Sequence, residues 1–164
     1  RANGTVQQLE VDSGGVTWTC ATEGHVVAMT SNDVERLDLT RPGQDPVSGA
    51  SAPVDSVWAV RACTSRGAVL LRDGVEHLYS PATNTWTSTP VALPWQLTKS
   101  PVRLSSAAVT AGGSDYFIAD GGYVIERTPS GVWNDLGTQA AALVAIDEQL
   151  KAVSSAGPTI TTLR

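Results

Sequence analysis

The two cysteines have the clearest potential for covalent chemistry in this chain. Cys20 and Cys63 lie 43 positions apart, each within a short strand-like segment. Thiols at equivalent points of neighbouring repeats are expected to approach closely enough to form a disulfide, which requires an oxidising compartment. The alternative is that both are buried as small apolar side chains. A redox pair is disfavoured because the chain has no Cys-x-x-Cys motif.

Other catalytic constellations are missing from the sequence. His25 and His77 are the only histidines, and neither has a His, Cys or Asp neighbour at metal-ligand spacing. There is no nucleophile elbow, phosphate loop or zinc-protease motif. Sixteen acidic residues guarantee some carboxylate pair by chance, so such pairs carry little information. We therefore expect a protein that is not an enzyme and uses no cofactor.

Charge and hydropathy exclude two classes of partner. The chain has a net charge of −5 and an isoelectric point near 4.8, which disfavours binding to nucleic acid. No apolar run approaches the roughly 20 residues that span a bilayer, so no direct membrane insertion is expected in this segment. Arginine outnumbers lysine strongly, which suggests a bacterial, GC-rich source genome. Because the chain begins at Arg1, we expect a processed or engineered boundary there.

The order of strand and turn signals predicts antiparallel meanders. The apolar run 68–71, the turn Asp73-Gly74, the strand 75–79 and a tryptophan-containing strand after Asn84 make one such unit. Degraded copies recur elsewhere in the chain. Their central turns are Ser31-Asn32-Asp33, Arg72-Asp73-Gly74, Asp120-Gly121-Gly122 and Ser155-Ala156-Gly157.

This repetition predicts an all-β fold, a small β-propeller of about four antiparallel blades forming a single domain over 1–164. Few residues follow Gly157, so we expect the N-terminal strand 4–11 to complete the fourth blade and close the ring. A β-sandwich, or a fragment of a longer propeller, remains the alternative. The proline-rich stretch 41–53 is expected to be a structureless surface loop.

The segment Tyr79-Ser80-Pro81-Ala82-Thr83-Asn84-Thr85-Trp86 resembles the kelch repeat. The third unit keeps Gly121-Gly122 and Trp133 but has Arg127 where the tyrosine would stand. The resemblance implies a kelch-like β-propeller, a scaffold that mostly binds other proteins. Some kelch propellers carry oxidase chemistry, but the Tyr, His and Cys ligands of such a copper site have no counterpart here.

One face of the predicted propeller collects candidate ligand-binding residues. The loops between second and third strands open on the same face as the loops that lead to the next blade. That face is expected to carry Asp33, Asp73 and Asp120 together with Trp95, a set suited to a cation, a basic peptide or a sugar. The alternative is that the aspartates only stabilise tight turns.

The other tryptophans are expected to seal neighbouring blades together. They are Trp18 and Trp58 at the inner strands and Trp86 and Trp133 on the outer ones.

A repeated scaffold without a catalytic motif predicts a non-enzymatic, extracytoplasmic interaction domain that binds a protein partner. The alternative is a carbohydrate-binding module with a glycan as its ligand.

Overall fold

The computed structural model describes residues 18–22, 24–41, 43–98, 102–105, 108–154 and 159–163. Within these residues, fifteen strands form four antiparallel sheets, and one four-residue helix stands between the second and third sheets. The sheets are arranged as the four blades of a propeller. The all-β propeller predicted from the repeated turns is therefore confirmed, and the sandwich alternative is excluded.

Each blade is a meander in which successive strands are hydrogen-bonded neighbours. Blade 1 contains β1 (Trp18–Thr22), β2 (His25–Met29), β3 (Val34–Asp38) and β4 (Val47–Ser48). Blade 2 contains β5 (Val60–Thr64), β6 (Gly67–Arg72), β7 (Val75–Ser80) and β8 (Thr85–Pro90), and it is followed by α1 (Trp95–Thr98). Blade 3 contains β9 (Val109–Ala111), β10 (Ser114–Ile118), β11 (Tyr123–Arg127) and β12 (Trp133–Gln139). Blade 4 contains β13 (Ala142–Ile146), β14 (Gln149–Val153) and β15 (Ile160–Thr162).

Strand β6 shows why a middle strand of a blade consists of consecutive apolar residues. Successive side chains of a strand point to opposite faces of its sheet. Ala68 and Leu70 therefore join the core shared with blade 1, while Val69 and Leu71 join the core shared with blade 3. All four are at most 2% exposed, since a blade is covered on both faces.

Among the described residues, three apolar clusters form the core, and they lie between blades 1 and 2, blades 2 and 3, and blades 3 and 4. The cluster between blades 2 and 3 contains Phe117, whose ring stacks on Trp133 with centroids 5.8 Å apart. Burial of apolar surface contributes about 25 cal/mol per Å², so these face-to-face contacts supply the main free energy that holds the blades together.

The proline-rich stretch differs from the expected structureless loop. It contains β4, and its following residues are bound to blade 1, because Gly49 N donates to Val34 O at 2.7 Å and Ala52 N donates to Asn32 O at 2.7 Å. Unmet backbone donors and acceptors close to a core are costly, so this segment forms hydrogen bonds despite its loop-like composition.

The predicted closure of the ring depends on the N-terminal strand, which is outside the described residues. Blade 4 has three strands within the described chain, and the outer strand predicted for it, 4–11, lies outside the described residues. Pairing of that strand with β15 stays a prediction.

Candidate functional site

The disulfide between Cys20 and Cys63 is present in the structure. It joins β1 to β5, with an S–S distance of 2.07 Å and a Cα–Cα distance of 5.3 Å. A hydrogen bond of 2.7 Å from Thr22 Oγ1 to Thr64 O, 42 positions apart in sequence, joins the same two strands. The disulfide therefore links the inner strands of blades 1 and 2.

The kelch-like tyrosine and tryptophan also hold blades 1 and 2 together. The rings of Tyr79 and Trp86 lie 5.1 Å apart. Trp86 Nε1 donates to Ala50 O at 2.8 Å, and Asn84 Oδ1 accepts from Ala50 N at 2.7 Å and from Tyr79 Oη at 2.8 Å. These three side chains bind the chain that leaves β4, so their role is to anchor the segment between the blades.

Arg127 and Trp133 form the equivalent pair one blade further on. Both pairs are cross-strand partners in their blades, Tyr79 with Trp86 and Arg127 with Trp133. Arg127 and Trp133 reach Glu76 of blade 2: Arg127 Nε and Nη2 donate at 2.9 and 2.6 Å, and Trp133 Nε1 donates at 2.6 Å. Arg127 thus occupies in blade 3 the position of Tyr79 in blade 2, and it contacts the preceding blade through a buried ion pair.

A hollow of about 400 Å³ opens on the face that carries the turns between second and third strands and the segments between blades. We call this face the linker face and this cavity the linker-face hollow. Its volume lies within the range of ligand pockets. The lining residues are Val57, Trp58, Ala59, Val60, Leu71, Arg72, Asp73, Gly74, Leu93, Leu97, Thr98 and Val102.

The segment between blades 1 and 2 presents Trp58 at the hollow. Asp55 Oδ1 accepts a hydrogen bond from Val57 N at 2.9 Å, which fixes the turn. Ser56 N donates to Ser31 O at 2.7 Å, which binds this turn to blade 1. Trp58 is 65% exposed on a turn whose backbone is held in place, and its side chain is therefore available to a ligand.

The opposite wall of the hollow comes from α1 and is attached to blade 3. Leu97 is 3% exposed and belongs to the core between blades 2 and 3. Gln96 Nε2 donates to Asp135 Oδ2 on β12, and Trp95 packs edge-on against Tyr123 with centroids 5.4 Å apart. Both walls are thus fixed by contacts to neighbouring blades, so the hollow is largely preformed.

The four residues that the sequence places on one face lie in turns and segments of the linker face, and only Asp73 among them lines the hollow. Asp73 lines the linker-face hollow, in a turn with φ of +52° followed by Gly74 at +73°, and its carboxylate is 3.4 Å from Arg72 Nε. Asp120 Oδ2 accepts from Arg103 N at 2.9 Å, which stabilises the neighbouring segment. Asp33 is exposed in the turn of blade 1, and Trp95 is half exposed on α1.

Three of the tryptophans pack between neighbouring blades, and the other two are exposed to solvent. Trp86 and Trp133 pack between blades as predicted, and Trp18 lies against the core between blades 1 and 2. Trp58 does not seal a blade, because β5 begins at Val60 and leaves Trp58 on the preceding turn. Trp58 was predicted to seal a blade and not to contact a ligand, although Asp55-Ser56 before it is a typical turn signal.

The titratable groups show no arrangement for metal binding. In the part of the chain that the structure describes, no three His, Cys, Asp or Glu side chains come together as a metal site. His77 is buried, its Nδ1 lies 2.8 Å from Ser88 Oγ, and burial lowers the pKa of its imidazole. Hydrogen bonds from Thr40 lower the pKa of the Asp38 carboxyl at an exposed turn. Both are local structural interactions.

Comparison with known proteins supports the fold and not a family. No protein-family model matches the chain, and no curated protein matches it. One similar solved structure is the computationally designed Ika4 protein, at 14% identity and a TM-score of 0.54 over 96% of this chain and 98% of that one.

A second similar structure is the extracellular domain of the putative one component system BT4673 from B. thetaiotaomicron. It is 12% identical, with a TM-score of 0.53 over 95% of this chain. The match covers 23% of that chain, so the present chain spans less than a quarter of its length. At such identities, both likenesses establish the propeller architecture alone.

Proposed function

We propose that this chain is a non-enzymatic, extracytoplasmic interaction domain that binds a protein partner through the linker face. The observation that carries the proposal is the linker-face hollow, which is lined both by the exposed Trp58, on a turn bound to blade 1, and by Asp73. Exposed aromatic side chains next to a preformed pocket are typical anchor sites for a partner. The net charge of −5 favours a partner segment that carries basic side chains.

Two observations support the extracytoplasmic location. The Cys20–Cys63 disulfide is of the kind that persists in oxidising compartments. The similar structure from B. thetaiotaomicron is an extracellular domain by its own description. As a separate finding, no helix within the described residues has the length and apolar character needed to cross a membrane.

Selection from a displayed random-peptide library tests the protein-binding function. We expect the selected peptides to combine a basic residue with an aliphatic or aromatic one. Trp58→Ala should weaken their binding about tenfold, as is typical for loss of an aromatic anchor, and Asp73→Ala should weaken the more basic peptides. Leu39→Ala is the matched control, because Leu39 is 52% exposed on the opposite face. Equal affinity for wild type, Trp58→Ala and Asp73→Ala would contradict the proposal.

A glycan is the second candidate ligand of the same hollow. The combination of an exposed indole ring with the polar side chains of Arg72 and Asp73 favours it, since a sugar presents one apolar face and several hydroxyls. A glycan array would give hits that disappear with Trp58→Ala. In that outcome the peptide library yields no binder and the carbohydrate-binding function replaces the protein-binding one.

A further inference from the structure

A second cavity, of about 410 Å³, lies between the outer parts of blades 2 and 3. We call it the interblade cleft, and none of its lining residues is shared with the linker-face hollow. The lining residues are Arg66, Glu76, Leu78, Thr89, Pro90, Val91, Ala92, Arg127, Pro129, Ser130, Gly131 and Val132.

The buried Arg127 guanidinium has unused hydrogen-bonding capacity at this cleft. Its side chain is 4% exposed, and its Nε and Nη2 both donate to Glu76. A guanidinium has five N–H groups, and Nη1 of Arg127 makes no hydrogen bond within the described residues. Nη1 is not sealed from solvent, and the cleft is a cavity that Arg127 lines.

The Glu76 carboxylate cannot turn to serve this free nitrogen. Its Oε2 accepts from Arg127 Nε and from Trp133 Nε1, and its Oε1 accepts from Arg127 Nη2. These three donors from Arg127 and Trp133 hold the carboxylate in place. The free Nη1 therefore presents a fixed donor to any acceptor that enters the cleft.

A second cation lies at the cleft, and the balance of charge there is positive. Arg66 is exposed, and its Nη1 donates to Pro129 O, which holds the side chain across the cleft. The charged residues that line the cavity are Arg66, Arg127 and Glu76, which makes two cations and one carboxylate. This local excess contrasts with the net charge of −5 of the whole chain. An anion is consequently the complementary ligand.

The remaining walls fix the size and polarity of the rest of the ligand. Leu78, Val91, Ala92 and Val132 offer aliphatic surface. The backbone at Gly131 runs close to the ion pair, since a Cβ built there would lie 3.8 Å from Arg127 Nη2. The Gly131 backbone and the guanidinium thus border the same part of the cleft, where an anionic end fits, while an aliphatic body fits along the apolar wall.

We propose that the interblade cleft binds a carboxylate carried on a short aliphatic body. The carboxylate accepts hydrogen bonds from Arg127 Nη1 and from the Arg66 guanidinium, which suits the planar geometry of both groups. A free short-chain fatty acid and the C-terminal residue of a peptide share this chemistry.

Titration of the ¹⁵N-labelled protein with hexanoate, followed by amide chemical shifts, tests the site. We expect saturable shifts at Ser130, Gly131 and Val132, and none with hexanol, which has the same chain without the charge. Arg66→Gln should weaken hexanoate binding by at least about fivefold, as loss of a charge-assisted hydrogen bond predicts. Arg72→Gln, at the other cavity, should leave the affinity unchanged.

A second variant removes the free donor while keeping the ion pair. Arg127→Lys retains a positive charge beside Glu76 but has no second nitrogen to face the cleft, so hexanoate binding should fall about tenfold or more. The Arg66→Gln result stands by itself if Arg127→Lys does not fold, because Arg66 is exposed. Equal shifts with hexanol and hexanoate, no saturation, or an unchanged affinity of Arg66→Gln would overturn the proposal.

Two tripeptides that end in leucine, one with a free C-terminal carboxylate and one with a C-terminal amide, distinguish the two sources of the carboxylate. Tighter binding of the free acid than of hexanoate, with no binding of the C-terminal amide, identifies a peptide C-terminus as the ligand. Tighter binding of hexanoate than of the tripeptide acid identifies a free short-chain acid.

Discussion

At the scale of residues, the most important polar contacts of this propeller are buried ones between blades 2 and 3. Arg127, Glu76 and Trp133 form a closed hydrogen-bonded group at positions where the kelch pattern predicts a tyrosine contact. Such a group stabilises the fold only while all its members are present, since a lone buried charge is costly. Arg127 thus attaches blade 3 to blade 2 and also provides the hydrogen-bond donor of the interblade cleft.

His77 should make the stability of the protein depend on pH. Burial lowers the pKa of its imidazole in the folded chain, whereas the unfolded chain titrates near the ordinary value of about 6.5. As the pH falls below about 6.5, the unfolded state binds a proton that the folded state does not, so the free energy of unfolding decreases. Above that pH the contribution is constant.

Urea unfolding of wild type and His77→Gln between pH 5 and pH 8, roughly spanning the range in which histidine titrates, measures this effect. The difference in unfolding free energy between the two proteins should change below about pH 6.5 and be flat above it. Ser88→Ala is the control, since it removes the hydrogen bond to His77 but keeps the titrating group. A difference that does not vary with pH would contradict a lowered pKa of His77 in the folded protein.

At the scale of elements, the segment after β4 is held by close packing as well as by hydrogen bonds. A Cβ added at Gly49 would lie 2.5 Å from Tyr79 Oη and 2.8 Å from Val34 Cγ1. The backbone φ of Gly49 is not in the left-handed region, so the requirement for glycine there is one of space.

Gly49→Ala should therefore destabilise the protein by about 1–3 kcal/mol through overpacking. In a Tyr79→Phe background the cost should be smaller, because the closest atom is removed, although the contact with Val34 remains. The coupling free energy from a double-mutant cycle, measured by urea unfolding, checks this. Gly137→Ala is the control, since nothing lies within 4 Å of its added Cβ and its cost should not depend on Tyr79. Additive effects of Gly49→Ala and Tyr79→Phe would show that the segment relaxes freely.

At the scale of the whole molecule, the blades are joined in different ways. Blades 1 and 2 share a disulfide and blades 2 and 3 share a buried ion pair, while in the described chain the interfaces 1–2, 2–3 and 3–4 each have an apolar cluster. The disulfide closes a loop of 43 residues, so it restricts the unfolded chain considerably.

Replacement of both Cys20 and Cys63 by alanine should lower the free energy of unfolding by about 4 kcal/mol, as expected for a loop of this length. Dithiothreitol should lower the stability of wild type to a similar extent and leave the double variant unchanged. Two thiols that react with iodoacetamide in the native, unreduced protein would contradict the bond.

Much of the architecture was predictable from local signals. The turn Asp73-Gly74 and the alternation of the flanking strands are properties of a few adjacent residues, and repetition of that unit predicted the blades. The pairing of Cys20 with Cys63 was also open to prediction, since equivalent positions in successive blades come close together. These features depend on backbone geometry that each short segment specifies largely by itself.

The candidate sites were decided only by tertiary contacts. The turn that exposes Trp58 is held by Ser31 of another blade, and the free nitrogen of Arg127 results from the way Glu76 and Trp133 approach from two different strands. A sequence shows which side chains can donate or accept. It does not show which donors are already used, because that depends on residues about 50 positions away that only packing of the blades brings within hydrogen-bond distance.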